Sequence, residues 1–198
     1  MSPGWRRHAV TALGIALLPG CAAQPAAYVA QGVVVPLKNA GIEEDWPAGN
    51  PCVPGWICLM HSDPAAYRFA PDEAKPAKGK RSACATRVKD EPWVSVIQAL
   101  FDRSLAGKQL RFSIDVRLQG VTGKGAGAWL ALKDSRGLLL HSQEKLVVGT
   151  LGWQRLAIEF VVPRETAEVH VGTILLGAGE ICFDDAVLEI LQDTKSPV

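Results

Sequence analysis

Gln109-Leu110-Arg111-Phe112-Ser113-Ile114-Asp115-Val116-Arg117-Leu118 alternates without a break. Leu110, Phe112, Ile114, Val116 and Leu118 fall on one side and Arg111, Ser113, Asp115 and Arg117 on the other, the two-residue period of a half-buried strand. Residues 154–162 repeat the pattern, with Leu156, Ile158, Phe160 and Val162 inward, Arg155 and Glu159 outward, and Pro163 ending the run by withholding an N–H. Working outward, further strands are expected at 33–37, 81–89, 93–100, 126–133, 138–141, 168–176 and 181–191, although residues 92–105 also fit one short helix. Gly107, Gly123-Lys124-Gly125, Gly137, Gly149 and Gly177-Ala178-Gly179 supply turns between them, with residues 123–127 read as a hairpin turn. The expected fold is all-β: a two-sheet antiparallel jelly-roll β-sandwich over residues 33–192, followed by a C-terminal tail at 193–198.

Composition agrees with one folded domain. Of 198 residues, 48% are hydrophobic and 21% charged, and 21 Lys+Arg face 20 Asp+Glu. That apolar content can bury a core, and the balanced charge provides no basic excess to hold a nucleic-acid backbone, so no nucleic-acid partner is expected.

The first twenty residues read as an export signal. Arg6 and Arg7 form a basic head, residues 9–18 an apolar run, and Leu18-Pro19-Gly20-Cys21 resembles the lipobox of bacterial lipoproteins, with Cys21 the residue to be lipidated. Ten residues at about 1.5 Å each fall short of a ~30 Å hydrocarbon core, so the run is no permanent membrane span. His8-Ala9-Val10 does not continue a twin-arginine signal. Residues 1–20 are therefore expected to leave and 21–32, rich in Ala, Gln and Pro, to serve as a short tether. Losing Arg6 and Arg7 leaves 178 residues with 19 basic against 20 acidic side chains. The expected location is the bacterial cell envelope, lipid-anchored, in the outer membrane or facing the periplasm.

Cysteine use fits export. Beyond Cys21 stand Cys52, Cys58, Cys84 and Cys182, an even number for an oxidising compartment. Cys52 and Cys58 share one Pro/Gly-rich loop, which favours a local disulfide. Cys84 and Cys182 then either pair across neighbouring strands or stay buried thiols. A zinc site from Cys52, Cys58 and His61 matches no standard ligand spacing.

No catalytic residues are expected. Asp184-Asp185 and Glu43-Glu44 are adjacent pairs, and adjacent strand residues face opposite ways and cannot act together on one bond. His61, His141 and His170 have no metal-binding spacing, Ser95 and Ser142 lack a nucleophile elbow, and residues 123–127 do not open a helix as a phosphate loop does.

The succession of short motifs over residues 37–190 carries a resemblance. Asn39-Ala40-Gly41-Ile42-Glu43-Glu44 is followed by Pro54-Gly55-Trp56, Gly79-Lys80-Arg81-Ser82-Ala83 and Gly107-Lys108-Gln109-Leu110-Arg111-Phe112-Ser113. Gly149-Thr150-Leu151-Gly152-Trp153 and Val162-Pro163 come next, and the closing segment is Gly177-Ala178-Gly179-Glu180-Ile181-Cys182-Phe183-Asp184-Asp185-Ala186-Val187-Leu188-Glu189. This order resembles the galactose-binding-like jelly roll of carbohydrate-binding modules and of related accessory domains in bacterial exported and regulatory proteins.

The resemblance implies a structural calcium ion where the first strand meets the last, held by Glu43 and by Asp184 or Asp185. No cofactor is otherwise required. Alternation places Cys182, Asp184, Ala186, Leu188 and Ile190 on one face, read as the inner one, so Asp184 is expected to be buried and to need either a cation or several hydrogen-bond donors. The resemblance also implies a glycan ligand, which stacks on an exposed aromatic side chain. Trp129, out of phase with Leu130 and Leu132, is the best candidate. Trp153 is read as closing the core, and Trp46, Trp56, Trp93 and Tyr67 as core or edge packing. Arg111, Asp115, Arg117 and Arg155, with His141 and His170, share polar-face parity and are gathered around Trp129. The expected role is a non-catalytic binding module of the cell envelope with carbohydrate as its ligand class. The alternative is a structural or protein-interaction envelope lipoprotein without a sugar site, whose partner is an envelope protein.

Overall fold

The computed structural model describes Ala30, residues 32–47 and residues 50–191. The export signal, Cys21, most of the tether and the tail from 192 lie outside the described residues. Nine strands are present among the latter: β1 (Val33–Val35), β2 (Ile57–Met60), β3 (Tyr67–Asp72), β4 (Ser82–Arg87), β5 (Val94–Leu100), β6 (Gln109–Lys133), β7 (Leu139–Val161), β8 (Glu168–Leu175) and β9 (Glu180–Ile190). Single 3-10 turns sit at Pro64–Ala66 and Arg103–Leu105.

Every pairing is antiparallel, and the ladder runs β2-β5-β8-β6-β9-β4-β3, with β7 on β6 and β1 on β9. The ladder closes over itself because β6 and β7 belong to two layers. Residues 126–133 of β6 pair with β8 and form a front layer with β2, β5 and the first half of β7. Residues 110–119 pair with β9 and form a back layer with β1, β3, β4 and the second half of β7. The core lies between them. Leu110, Phe112, Ile114, Val116 and Leu118 meet Ala126, Ala128, Leu130 and Leu132 there, with Val171, Leu175, Phe183 and Leu188.

Two long strands replace four expected short ones. Residues 123–127 do not form a hairpin; they are the corner where β6 passes from back layer to front. Gly120, Gly123 and Gly125 adopt positive φ, and a Cβ on Gly123 would come within 2.8 Å of the Leu176 carbonyl oxygen. Gly149 lies across the same bend in β7, opposite Val121. The chain reverses later, at residues 134–138, where Asp134 Oδ1 accepts the N–H groups of Arg136 and Leu138 at 2.8 and 2.9 Å. Residues 92–105 form β5 and a 3-10 turn in place of a helix, because Val94 and Val96 face the core while Ser95 and Ile97 face away.

The inward face of β9 also differs from expectation. Asp185 takes the left-handed region at φ 47°, and the register of β9 against β6 shifts between Ser113 and Asp115. Ile181 and Phe183 therefore face the core before this bulge and Ala186 and Leu188 after it. Cys182 and Asp184 point instead to the outer side of the back layer, yet both are fully buried there.

Both disulfides are present: Cys52–Cys58 within one loop and Cys84–Cys182 between directly opposed residues of β4 and β9. The second closes a loop of sequence separation 98, the first of 6. Chain-entropy reasoning sets their contributions at about 4.7 and about 2.2 kcal/mol respectively. Urea unfolding of Cys84→Ala/Cys182→Ala is therefore expected to show roughly twice the loss of Cys52→Ala/Cys58→Ala; equal losses would contradict this ordering.

Candidate functional site

The outer surface of the front layer is built from residues that alternate with the core. One row crosses it as Ile57, Ile97, Gly172, Trp129 and Glu144; the next as Leu59, Ser95, Ile174, Gly127 and Leu146. On the other flank stand Ala99, His170, Ala131 and Ser142. Trp129 is half-buried at the centre, with glycines opposite it on β8 and two positions before it on β6. Gly172 is demanded by the sheet, since a Cβ there would stand 2.0 Å from the Val96 carbonyl oxygen.

Beside Trp129 a cavity of about 190 Å³ is lined by Leu59, Trp93, Ser95, Trp129, Ile174 and Leu176. Its walls are two indoles and three aliphatic side chains, with one hydroxyl among them. That volume is below the ~300 Å³ of a drug-sized site and suits one ring. At its end the His61 ring stands edge-on to Trp93, centroids 6.4 Å apart, and His61 Nδ1 lies 3.2 Å from Glu91 Oε1. Burial alone would raise the Glu91 carboxyl, but hydrogen bonds from the Ser62 N–H and hydroxyl outweigh it and hold the group below its ordinary range.

On the opposite flank His170 Nε2 lies 2.8 Å from Glu168 Oε2, while its buried Nδ1 has no partner among the described residues. Burial pushes the His170 pKa down, against the pull of Glu168, so the ring is neutral near pH 7 and keeps one nitrogen for a further hydrogen bond.

Two larger cavities lie elsewhere. One of about 510 Å³ is lined by Arg87, Lys89, Asp90, Thr122 and Gly123 among others, with no aromatic wall, and Arg87 is paired with Asp90. The other, about 390 Å³, includes Met60, Tyr67 and Phe69, and the Tyr67 hydroxyl is taken up by the Glu91 carbonyl.

The charged residues expected around Trp129 do not join it. Arg111, Asp115, Arg117 and Arg155 lie on the outer side of the back layer, and His141 stands opposite Leu132, out of phase with Trp129. Of the six, only His170 shares the tryptophan's face. The physical reason is the glycine corner: alternation separates inside from outside but does not tell which layer a residue belongs to. Arg117 and Trp129 have the same parity along β6 and emerge on opposite surfaces. The signal for Trp93 was present, since it alternates in phase with Ser95 and Ile97.

On the back surface the charges satisfy one another. Arg111 reaches Glu159 at 2.5 Å and Glu189 at 3.4 Å, Arg155 reaches Asp185 at 2.8 Å and Asp115 at 3.2 Å, and Arg117 meets Asp72 at 2.5 Å. The β3–β4 connection covers this network. Trp153 donates its indole N–H to the Lys75 carbonyl and carries Arg117 over its ring at 5.5 Å, so it packs on the back surface and does not close the core. Trp56 is a core residue, 5.8 Å from the Phe183 ring.

The residues assigned to calcium face donors. Asp184 accepts the N–H groups of Ala77 and Lys78 on Oδ2, both at 3.0 Å, and that of Asp185 on Oδ1 at 2.7 Å. Asp185 lies 2.5 Å from Lys78 Nζ as well as 2.8 Å from Arg155, and Glu43 accepts the Lys80 N–H at 2.9 Å. Calcium requires six to eight oxygens, whereas these carboxylates meet N–H groups, an ammonium and a guanidinium. The arrangement does not fit the ion, and the second option for Asp184, several donors, is the one found. The thiols offered to zinc, Cys52 and Cys58, are consumed in a disulfide.

Known proteins bear on the fold more than on the site. No family model matches the chain. It is 28% identical over 147 residues to an uncharacterized HTH-type transcriptional regulator, YbfP, of Bacillus subtilis (strain 168), and the match spans 71% of this chain and only 49% of that relative. Among solved structures, the CBM22-1 xylan-binding domain of Paenibacillus barcinonensis Xyn10C superimposes with a TM-score of 0.59 at 11% identity, covering 84% of this chain and all of that domain. TmCBM61, solved with β-1,4-galactotriose, gives a TM-score of 0.50 at 18% identity over 78% and 97% of the two chains. The enzymatically active domain of bacteriophage CBA120 tailspike protein 4 gives 0.56 at 12% identity, but only 21% of that chain is matched. The fold is a jelly-roll β-sandwich like that of these carbohydrate-binding modules.

Burial raises the Asp184 pKa from 3.8 to about 6, against the three backbone donors. The folded state therefore holds this proton more tightly than the unfolded chain, and the resulting stabilisation is complete below about pH 4 and lost as pH rises to about 6. Asp184→Asn turns an amide toward a backbone donor and is expected to cost about 1–3 kcal/mol. The gap in unfolding free energy between wild type and variant should narrow as the pH is raised from 4 to 7; a constant or widening gap would refute the raised pKa.

Proposed function

We propose that this domain is a carbohydrate-binding module whose ligand lies on the front surface against Trp129. The observation that carries the reading is the half-buried indole set among glycines on the outer face of the front layer, lining one apolar groove with Trp93. A pyranose presents an apolar C–H face that packs on an indole, while its hydroxyls need directed partners. Ser95 in the groove, Glu144 opposite Trp129 and His170 on the flank can supply acceptors and donors. That the structural neighbours include xylan-binding and galactotriose-bound modules supports this ligand class, and their non-catalytic character supports a binding role without turnover.

The location follows from the N-terminal reading. Two disulfides suit an oxidising compartment, and an export signal ending in Cys21 suits a lipid anchor in the envelope. The membrane contact is then the lipid, and the partner a glycan or glycan-bearing envelope component.

Calorimetry against a panel of plant and bacterial polysaccharides tests the site. Trp129→Ala and Trp93→Ala should each lower affinity at least about tenfold, roughly 1.4 kcal/mol, with Lys108→Ala unchanged. Absence of binding to every glycan, with an envelope protein recovered by crosslinking, would favour the interaction-lipoprotein alternative. Palmitate labelling in cells should disappear in Cys21→Ala; labelling that persists would remove the anchor.

A further inference from the structure

Among the described residues β7 pairs with one strand only, β6, so its other edge is open along both layers. The other outer strands are short or blunted. β1 has three residues and β2 four, and β3 contains Pro71. The first half of β7 has neither protection. Residues 138–148 read Leu-Leu-Leu-His-Ser-Gln-Glu-Lys-Leu-Val-Val, and Leu138, Leu139, Leu140 and Val148 are exposed. Three apolar residues stand at each end of five polar ones, and the pattern is symmetric about Gln143.

We infer that this edge pairs antiparallel with the same edge of a second copy, with the two-fold axis at Gln143. In that register Leu138 meets Val148, Leu139 meets Val147 and Leu140 meets Leu146, while His141 faces Lys145 and Ser142 faces Glu144 of the other copy. The bulge where Lys133 pairs Leu139 and Leu132 pairs His141 ends the regular ladder, so hydrogen bonding spans the central residues and the leucines close over the partner's Leu146, Val147 and Val148. Charge selects this register. Moving it by two residues one way sets Glu144 against itself; moving it the other way sets Leu140 against Glu144 and Leu139 against Lys145. Shifts by a single residue turn the second copy's front face over.

Eleven residues a side is about half the 20–30 of a standard interface, so the dimer is weak and concentration-dependent. Its geometry matters for the proposed glycan site, and this consequence alone rests on that reading. The two front layers continue as one surface, with Trp129 and its counterpart three strand spacings and two residues apart, about 16 Å.

Sedimentation velocity of the full-length chain from about 1 to 100 µM, without glycan, tests the pairing. A reversible monomer–dimer equilibrium is expected, with Leu140→Lys/Val148→Lys raising the dissociation constant at least tenfold while the circular dichroism spectrum stays unchanged. Gln143→Cys should crosslink two copies on mild oxidation, because directly paired residues stand about 4.5–5.5 Å apart, whereas Thr150→Cys should not. A monomer throughout, a dimer indifferent to the lysine pair, or equal crosslinking at both cysteines would overturn the inference. Glycan affinity of the monomeric lysine variant is a separate measurement, so failure of the pairing and failure of the sugar site remain distinguishable.

Discussion

Everything in this domain depends on one antiparallel pair long enough to serve two layers. β6 and β7 run 25 and 23 residues, several times an ordinary strand, and each half of the hairpin anchors a different sheet. The remaining strands attach to this spine: β8 and β5 on one half, β9 and β4 on the other. The pairing thins at the corner to Leu118–Leu151 and Val121–Gly149 between register shifts, and the corner is held instead by N–H groups of Thr122 and Lys124 on the Ala178 and Leu176 carbonyls, so backbone as well as core ties the layers together. The same corner decides function, since it delivers Arg117 to one surface and Trp129 to the other.

Those two surfaces are chemically unlike. The back one is largely committed: its arginines pair with carboxylates, its buried Asp184 with three backbone N–H groups, and the β3–β4 connection lies over part of it. Burying so many charges is costly unless each is paired, and here they are. Such a surface has little left to offer a ligand. The front one keeps unspent capacity: an indole half open to solvent beside an apolar groove.

The strands were legible wherever alternation is strict. Residues 109–118 and 154–162 fold with the predicted sides inward, and the two disulfides lie among the pairings that cysteine number and spacing allowed. What escaped reading has a common cause. Parity assigns a residue to a side of its own strand, and three features change what a side means. The glycine corner moves β6 between layers, the left-handed Asp185 inverts β9 halfway along, and the covering connection turns an outer surface into an interior. Hence parity groups Arg111, Asp115, Arg117 and Arg155 with a tryptophan they never meet, and assigns Cys182 and Asp184 to the core although the core lies on the opposite side of their strand. β2 and β3 were missed because Ile57–Met60 is too short to show a period and Tyr67–Asp72 contains a proline.

The covering of the back surface has a kinetic side. Cys182 is wholly buried and Cys84 nearly so, and the guanidinium of Arg117 stands 3.1 Å from the Cys182 sulfur beneath the β3–β4 connection. Thiol–disulfide exchange needs a thiolate to reach a sulfur in line with the bond. With both sulfurs buried, exchange at Cys84–Cys182 requires the surrounding structure to open before a thiolate can reach the bond. The crosslink that closes the longest loop is thus the more shielded of the two, whereas Cys52–Cys58 sits half-buried in a loop and needs less opening to exchange.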